Sequence, residues 1–154
     1  MKLNRILMAV TLVLMIVINV LANALPLNGL NTGEISDRFP ILFVPAGYVF
    51  SIWGLIYIVL TAFTVYSLTP KGQADAKIDG VAWWFVIANL FNTAWIFLWH
   101  YLQFTLTLIA IFGLLISLIV IYLKLGIGKI QRSFGQKLLV NVPFSIYLGW
   151  ATVA

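Results

Sequence analysis

F-V-P-A-G-Y-V-F-S-I-W-G-L-I-Y, residues Phe43 to Tyr57, is the stretch whose reading decides the fold. A proline and a glycine open it, Tyr48, Phe50, Trp53 and Tyr57 follow, and no charge interrupts it. Pro45 fits the first turn of a helix, where its missing N–H costs nothing. Trp53 and Tyr57 are four residues apart, so a helix stacks them on one face. Two readings stay open here: an aromatic anchor at a membrane interface, or the wall of a ligand site.

Composition sets the class. Of the 154 residues, 63% are hydrophobic and 8% are charged, where a soluble domain carries about 25% charged residues. With a mean hydropathy of +1.08, the chain reads as an all-α integral membrane protein. The net charge of +5 does not indicate nucleic acid, because the basic residues sit in short segments between apolar runs. The absence of cysteine excludes thiolate metal sites, thiol catalysis and disulfides, and one histidine makes a poor metal site.

Five apolar runs predict spans at about 6–25, 46–68, 81–101, 104–123 and 138–154, in a single domain covering 1–154. In the first, Asn19 and Asn23 at i, i+4 spacing make one face of the outer half polar. A cleaved signal peptide over residues 1–24 is the rival reading, since Ala22-Asn23-Ala24 resembles a cleavage site. Its apolar run is longer than the roughly 7–15 residues of a signal sequence, which favours a retained span. Residues 26–45 form a long polar connection with turn signals at Asn28-Gly29 and Thr32-Gly33, expected to cap something. Residues 69–80 read as a hydrophilic turn, and a short turn near His100 to Gln103 makes spans three and four antiparallel neighbours. The fourth span is plain Leu/Ile and is expected to face lipid. The fifth is still apolar at Ala154, which suggests a chain cut short relative to its relatives.

Charge fixes the expected orientation in the cell membrane. Eight of the nine Lys/Arg fall in the N-terminus, the second loop and the fourth loop, and only Arg38 falls on the other side. The positive-inside rule then puts the N-terminus in the cytoplasm and the 26–45 loop outside. Small residues such as Gly113 and Ser117 would allow close helix approach in a homodimer.

No charged residue falls within a predicted span, which argues against a proton-coupled pump or ion-coupled carrier. No nucleophile with a nearby base, no phosphate loop and no paired intramembrane carboxylates appear, so the chain does not read as an enzyme. What remains is amide and aromatic. Asn89, Asn92 and Trp95 recur every three residues on span three. The two amides read either as glue between helices or as hydrogen-bonding groups for a ligand. Trp83 and Trp84, at the start of that span, read as belt residues, and Trp99, His100 and Tyr101 as interfacial anchors. On span five, Pro143 is expected to bend the helix, and it shares a face with Tyr147 and Trp150. A bundle turning Trp53, Tyr57, Trp95, Tyr147 and Trp150 inward would enclose a flat, aromatic-lined cavity suited to planar apolar ligands.

Three motifs carry a family resemblance. Pro45 with Trp53-Gly54-Leu55-Ile56-Tyr57, then Asn92-Thr93-Ala94-Trp95, then Leu138-Leu139 with Pro143-Phe144 and Tyr147, occur in order on spans two, three and five. In this the chain resembles the TspO/MBR family, the tryptophan-rich sensory proteins and translocator proteins, over nearly its whole length. It departs from the family pattern at Pro45-Ala46, where a double proline is usual, at Tyr48, one residue off the expected tryptophan, and in the first loop, which lacks a Trp-Tyr pair. The resemblance implies a bundle of five transmembrane helices. It also implies a receptor or transporter-like protein that binds a small planar hydrophobic ligand such as a tetrapyrrole, a porphyrin, and requires no cofactor. Trp53, Tyr57, Trp95, Tyr147 and Trp150 would form apolar walls, and Asn92 with Asn89 would meet a polar ligand edge. The alternative is a permease-like or structural subunit of a membrane complex with no ligand of its own.

Overall fold

The computed structural model describes residues 2–25, 27–39 and 47–153. Long helices follow the apolar runs. Helix α1 (Leu3–Ala24) buries Arg5, Met8, Leu12, Met15, Asn19 and Ala22, a stripe at helical spacing, while Val10, Val13, Val17 and Val20 are exposed. After a short 3₁₀ turn comes α2 (Thr32–Ser36), which starts on a capping box. Glu34 N–H donates to Asn31 Oδ1 at 2.9 Å, and Asn31 N–H donates to Glu34 Oε2 at 2.7 Å. This local signature explains why a helical turn forms inside what reads as a loop.

A 3₁₀ turn at Gly47–Ser51 leads into α3 (Ile52–Leu68), so the regular helix begins later than the predicted span. The reading of Pro45 falls outside the described residues. The predicted hydrophilic turn at 69–80 is itself largely helical. Thr69 caps α4 (Pro70–Ala74), whose proline occupies the first turn, and Asp75 caps α5 (Ala76–His100) by accepting from Lys77 N–H at 2.9 Å. Leu102, at φ 59°, turns the chain into α6 (Phe104–Leu125), which ends at Gly126 with φ 65°.

The last apolar run differs most from expectation. It is divided into α7 (Phe134–Gln136), a π-helical turn at Lys137–Asn141, and α8 (Val142–Val153). Pro143 has no N–H to return to the preceding turn, and the widened turn, closed by Val142 N–H on Lys137 O, absorbs that break. Among the described residues, four helices are long and apolar enough to cross a membrane: Leu3–Ala24, Tyr48–Leu68, Ala76–His100 and Phe104–Leu125. The expected count of five is met only if the divided segment also spans.

The helices close into a ring, α1–α5–α6–α8–α3 and back to α1. In lipid the solvent is as apolar as the side chains, so close packing and interhelical hydrogen bonds hold the ring rather than water exclusion. Phe63, Phe85 and Phe144 knit α3, α5 and α8 with ring centroids 4.8–5.9 Å apart, edge to face. Gly113 and Ser117 on α6 are used inside the chain. A Cβ on Gly113 would lie 2.5 Å from the Phe91 ring of α5, and Ser117 is buried. The opposite flank of α6, with Leu108, Ile109, Phe112 and Ile116, is exposed.

The two ends of the ring differ in kind. At the α4 end, Asp79 joins Lys2 at 2.8 Å and Asn4 at 3.0 Å, and Arg132 pairs with Asp75 at 3.2 Å. Arg5 is fully buried there and donates to Gly72 O at 3.2 Å. At the α2 end the ties are neutral. Trp99 Nε1 donates to Thr32 O at 3.3 Å, Thr32 N–H to Asn23 Oδ1 at 3.2 Å, and Asn28 Nδ2 to His100 O at 3.1 Å. Residues 27–39 thus fold over the ends of α1 and α5.

Candidate ligand-binding site

Trp53 is the hub of the α2 end. Its ring lies 5.9 Å from Tyr57, 6.1 Å from Trp95, 6.0 Å from Tyr147 and 6.3 Å from Trp150. All five aromatics singled out in the sequence therefore meet, from α3, α5 and α8. They meet as a packed cluster, with the other four rings each against Trp53. Trp95 extends the cluster by stacking on Trp99 at 5.8 Å, and Phe50 meets Trp150 at 6.3 Å.

Among the described residues, a cavity lies beside this cluster, toward α1. It measures about 450 Å³ and is lined by Asn19, Val20, Asn23, Ala24, Thr32, Phe50, Trp53, Tyr57 and Ile96. That volume falls within the roughly 300–1,000 Å³ of small-molecule sites. Of the residues proposed from sequence, Trp53 and Tyr57 line it. Trp95, Tyr147 and Trp150 pack on Trp53 and are not among the lining residues. Val20, Asn23 and Ala24 are exposed, so the cavity reaches the surface of the bundle along α1.

The two amides of α5 are fully buried and bonded between helices. Asn92 accepts from Asn19 Nδ2 at 2.8 Å and donates to Tyr147 OH at 2.9 Å, linking α1, α5 and α8. Asn89 Nδ2 donates to Thr11 Oγ1 at 3.2 Å, while its Oδ1 has no partner among the described residues. Asn92 reaches the cavity only through Asn19. Asn89 lies almost one turn further from it along α5.

Sequence reasoning placed Asn19 and Asn23 on a polar helix face and expected the 26–45 connection to cap something, yet it did not put Asn19, Asn23 or Thr32 in the site. The i, i+4 asparagine pair in an otherwise apolar run was the available signal. These three bring amide and hydroxyl groups to a cavity that the rings of Phe50, Trp53 and Tyr57 also line. No charged side chain is among its lining residues. Among the described residues, no group of three or more His, Asp or Glu is placed to hold a metal. The arrangement suits an uncharged, flat, apolar molecule with a few hydrogen-bonding groups on one edge.

A family model described as TSPO-like protein matches residues 5–154. No curated protein and no solved structure gives a significant match to the chain.

Proposed function

Because this chain belongs to the TSPO-like protein family, we propose that it is a receptor or transporter-like membrane protein that binds a small planar hydrophobic ligand, with a tetrapyrrole such as a porphyrin as the first candidate. The multi-pass membrane character follows from the four long apolar helices and the family. The observation that carries the binding reading is the 450 Å³ cavity with Trp53 and Tyr57 as one wall. Three further aromatics hold Trp53 in place, so the wall is rigid before any ligand arrives. In this reading the protein binds and does not catalyse, and needs no cofactor. The divided segment 134–153 forms the fifth span, and the N-terminus faces the cytoplasm.

The test is a titration of purified protein with protoporphyrin, followed by quenching of tryptophan fluorescence. Saturable quenching is expected, weakened in Trp53→Leu and, less strongly, in Trp95→Phe. Quenching that never saturates, or that is equal in all three proteins, would reduce the effect to partitioning into detergent or lipid and remove the binding claim.

A further inference from the structure

The hydrogen-bond chain behind the cavity has a direction, and a backbone atom sets it. Asn19 Nδ2 donates to Met15 O at 2.9 Å and to Asn92 Oδ1 at 2.8 Å. Met15 O is a carbonyl and can only accept, so the Asn19 amide nitrogen must face it. Both hydrogens of that nitrogen are then committed. Turning the amide over would set two oxygens against each other and lose both bonds. Asn92 Oδ1 must accordingly face Asn19, and its Nδ2 must face Tyr147 OH at 2.9 Å. The remaining atom, Asn19 Oδ1, makes no hydrogen bond among the described residues, although Asn19 is only 3% exposed and lines the cavity. Unlike the fully enclosed unpaired atoms, this oxygen keeps some exposure, and a carbonyl held in one direction on a residue that lines the cavity is an acceptor that a ligand donor can meet. A second unpaired group stands nearby: Thr32, 5% exposed, lines the same cavity, and its Oγ1 has no partner among the described residues.

We propose that Asn19 Oδ1 is the recognition atom of the cavity, and that the ligand is uncharged and presents an N–H or O–H donor at the edge of a flat apolar body. Asn92 is the positioning residue that fixes the direction of the Asn19 amide. The inference rests on the reading that this cavity binds a planar apolar ligand, and it narrows the chemistry of that ligand. A carboxylate inside would be desolvated beside Asn19 Oδ1 with no cation among the lining residues, a costly arrangement. A tetrapyrrole bearing acid side chains fits only with those groups held outside.

Three tricyclic probes of nearly one size separate the terms. Carbazole carries an N–H where fluorene carries CH₂ and dibenzofuran an oxygen. Binding of each tritiated probe is measured on protein in lipid nanodiscs, with partitioning into empty discs subtracted. The expected result is carbazole binding roughly five- to thirtyfold more tightly than either analogue, since its loss leaves a buried acceptor unpaired. In Asn19→Leu the preference should fall to within about twofold, and in Asn92→Leu the ratio of carbazole to fluorene affinity should narrow. The comparison of probes is made in the unsubstituted protein, so it stands even where a variant fails to fold. Equal binding of all three probes, lost in Trp53→Leu, would overturn the role of Asn19 and leave the planar-ligand site intact. No saturable binding of any probe would overturn both.

Discussion

Asn92→Leu should destabilise the bundle, whereas Asn89→Leu should not, although both residues are fully buried asparagines on one helix. Leucine nearly matches asparagine in shape, so the comparison isolates hydrogen bonding. Asn92 makes two interhelical bonds, 2.8 Å from Asn19 and 2.9 Å to Tyr147. Its loss leaves one Asn19 N–H unpaired in the interior, because the other remains on Met15 O. Interhelical bonds in membranes average about 0.6 kcal/mol, and an orphaned buried donor costs about 1–3 kcal/mol, so a loss of about 1–3 kcal/mol is expected. Asn89 is different. Its one bond, to Thr11, is longer at 3.2 Å, and its Oδ1 is already unpaired. Thr11 keeps the bond that it donates to Leu7 O at 2.7 Å. Removing the Asn89 amide therefore exchanges a weak bond for relief of a buried, unsatisfied oxygen, and stability should stay within about 0.5 kcal/mol. Equilibrium unfolding by SDS titration in mixed micelles, followed by far-UV circular dichroism, measures both variants. A double-mutant cycle between Asn19 and Asn92 should return a coupling of roughly 0.5–1.5 kcal/mol. If Asn89→Leu costs as much as Asn92→Leu, or if Asn92→Leu is neutral, the directed amide chain does not hold the helices together.

Other outcomes follow from single contacts. Gly72→Ala should cost more than Gly113→Ala in the same titration. A Cβ at residue 72 meets the Tyr66 carbonyl oxygen and the Ser67 Cα, which are backbone, whereas one at residue 113 meets the Phe91 ring, which is half-buried and can swing. We expect about 2 kcal/mol or more for the first and about 1 kcal/mol for the second, in the range of overpacked sites. Asn31→Ala removes the cap of α2 and should weaken that turn by about 1 kcal/mol, read as faster amide hydrogen exchange over residues 32–36 with α5 unchanged. Because the chain has no cysteine, single-cysteine labelling reports orientation directly. Glu34→Cys should react with an impermeant maleimide on intact cells and Lys71→Cys only after permeabilisation. The reverse pattern would invert the orientation read from the basic loops.

The sequence by itself determined that this chain lives in a membrane and roughly where its helices run. Apolar length and loop charge can be read along the chain without knowing what packs on what, whereas the caps at Asn31 and Thr69 turned stretches that read as loop and turn into short helices. It also determined which aromatics and amides were worth watching, and the five rings did converge on Trp53. Tertiary structure decided the rest. In water, a polar outer face tells which way a helix turns. In lipid, the outer face and the interior are both apolar, so the rotation of each helix is nearly silent in sequence. That is why Leu12 and Val13, adjacent in sequence and both apolar, could not be sorted into core and surface. It is also why Asn19, Val20, Asn23 and Ala24 of α1, which line a cavity with Trp53, Tyr57 and Ile96, were not placed there from the sequence. The register that brings Asn19 to Asn92, and leaves one carbonyl oxygen facing the cavity, exists only once α1 has packed on α5.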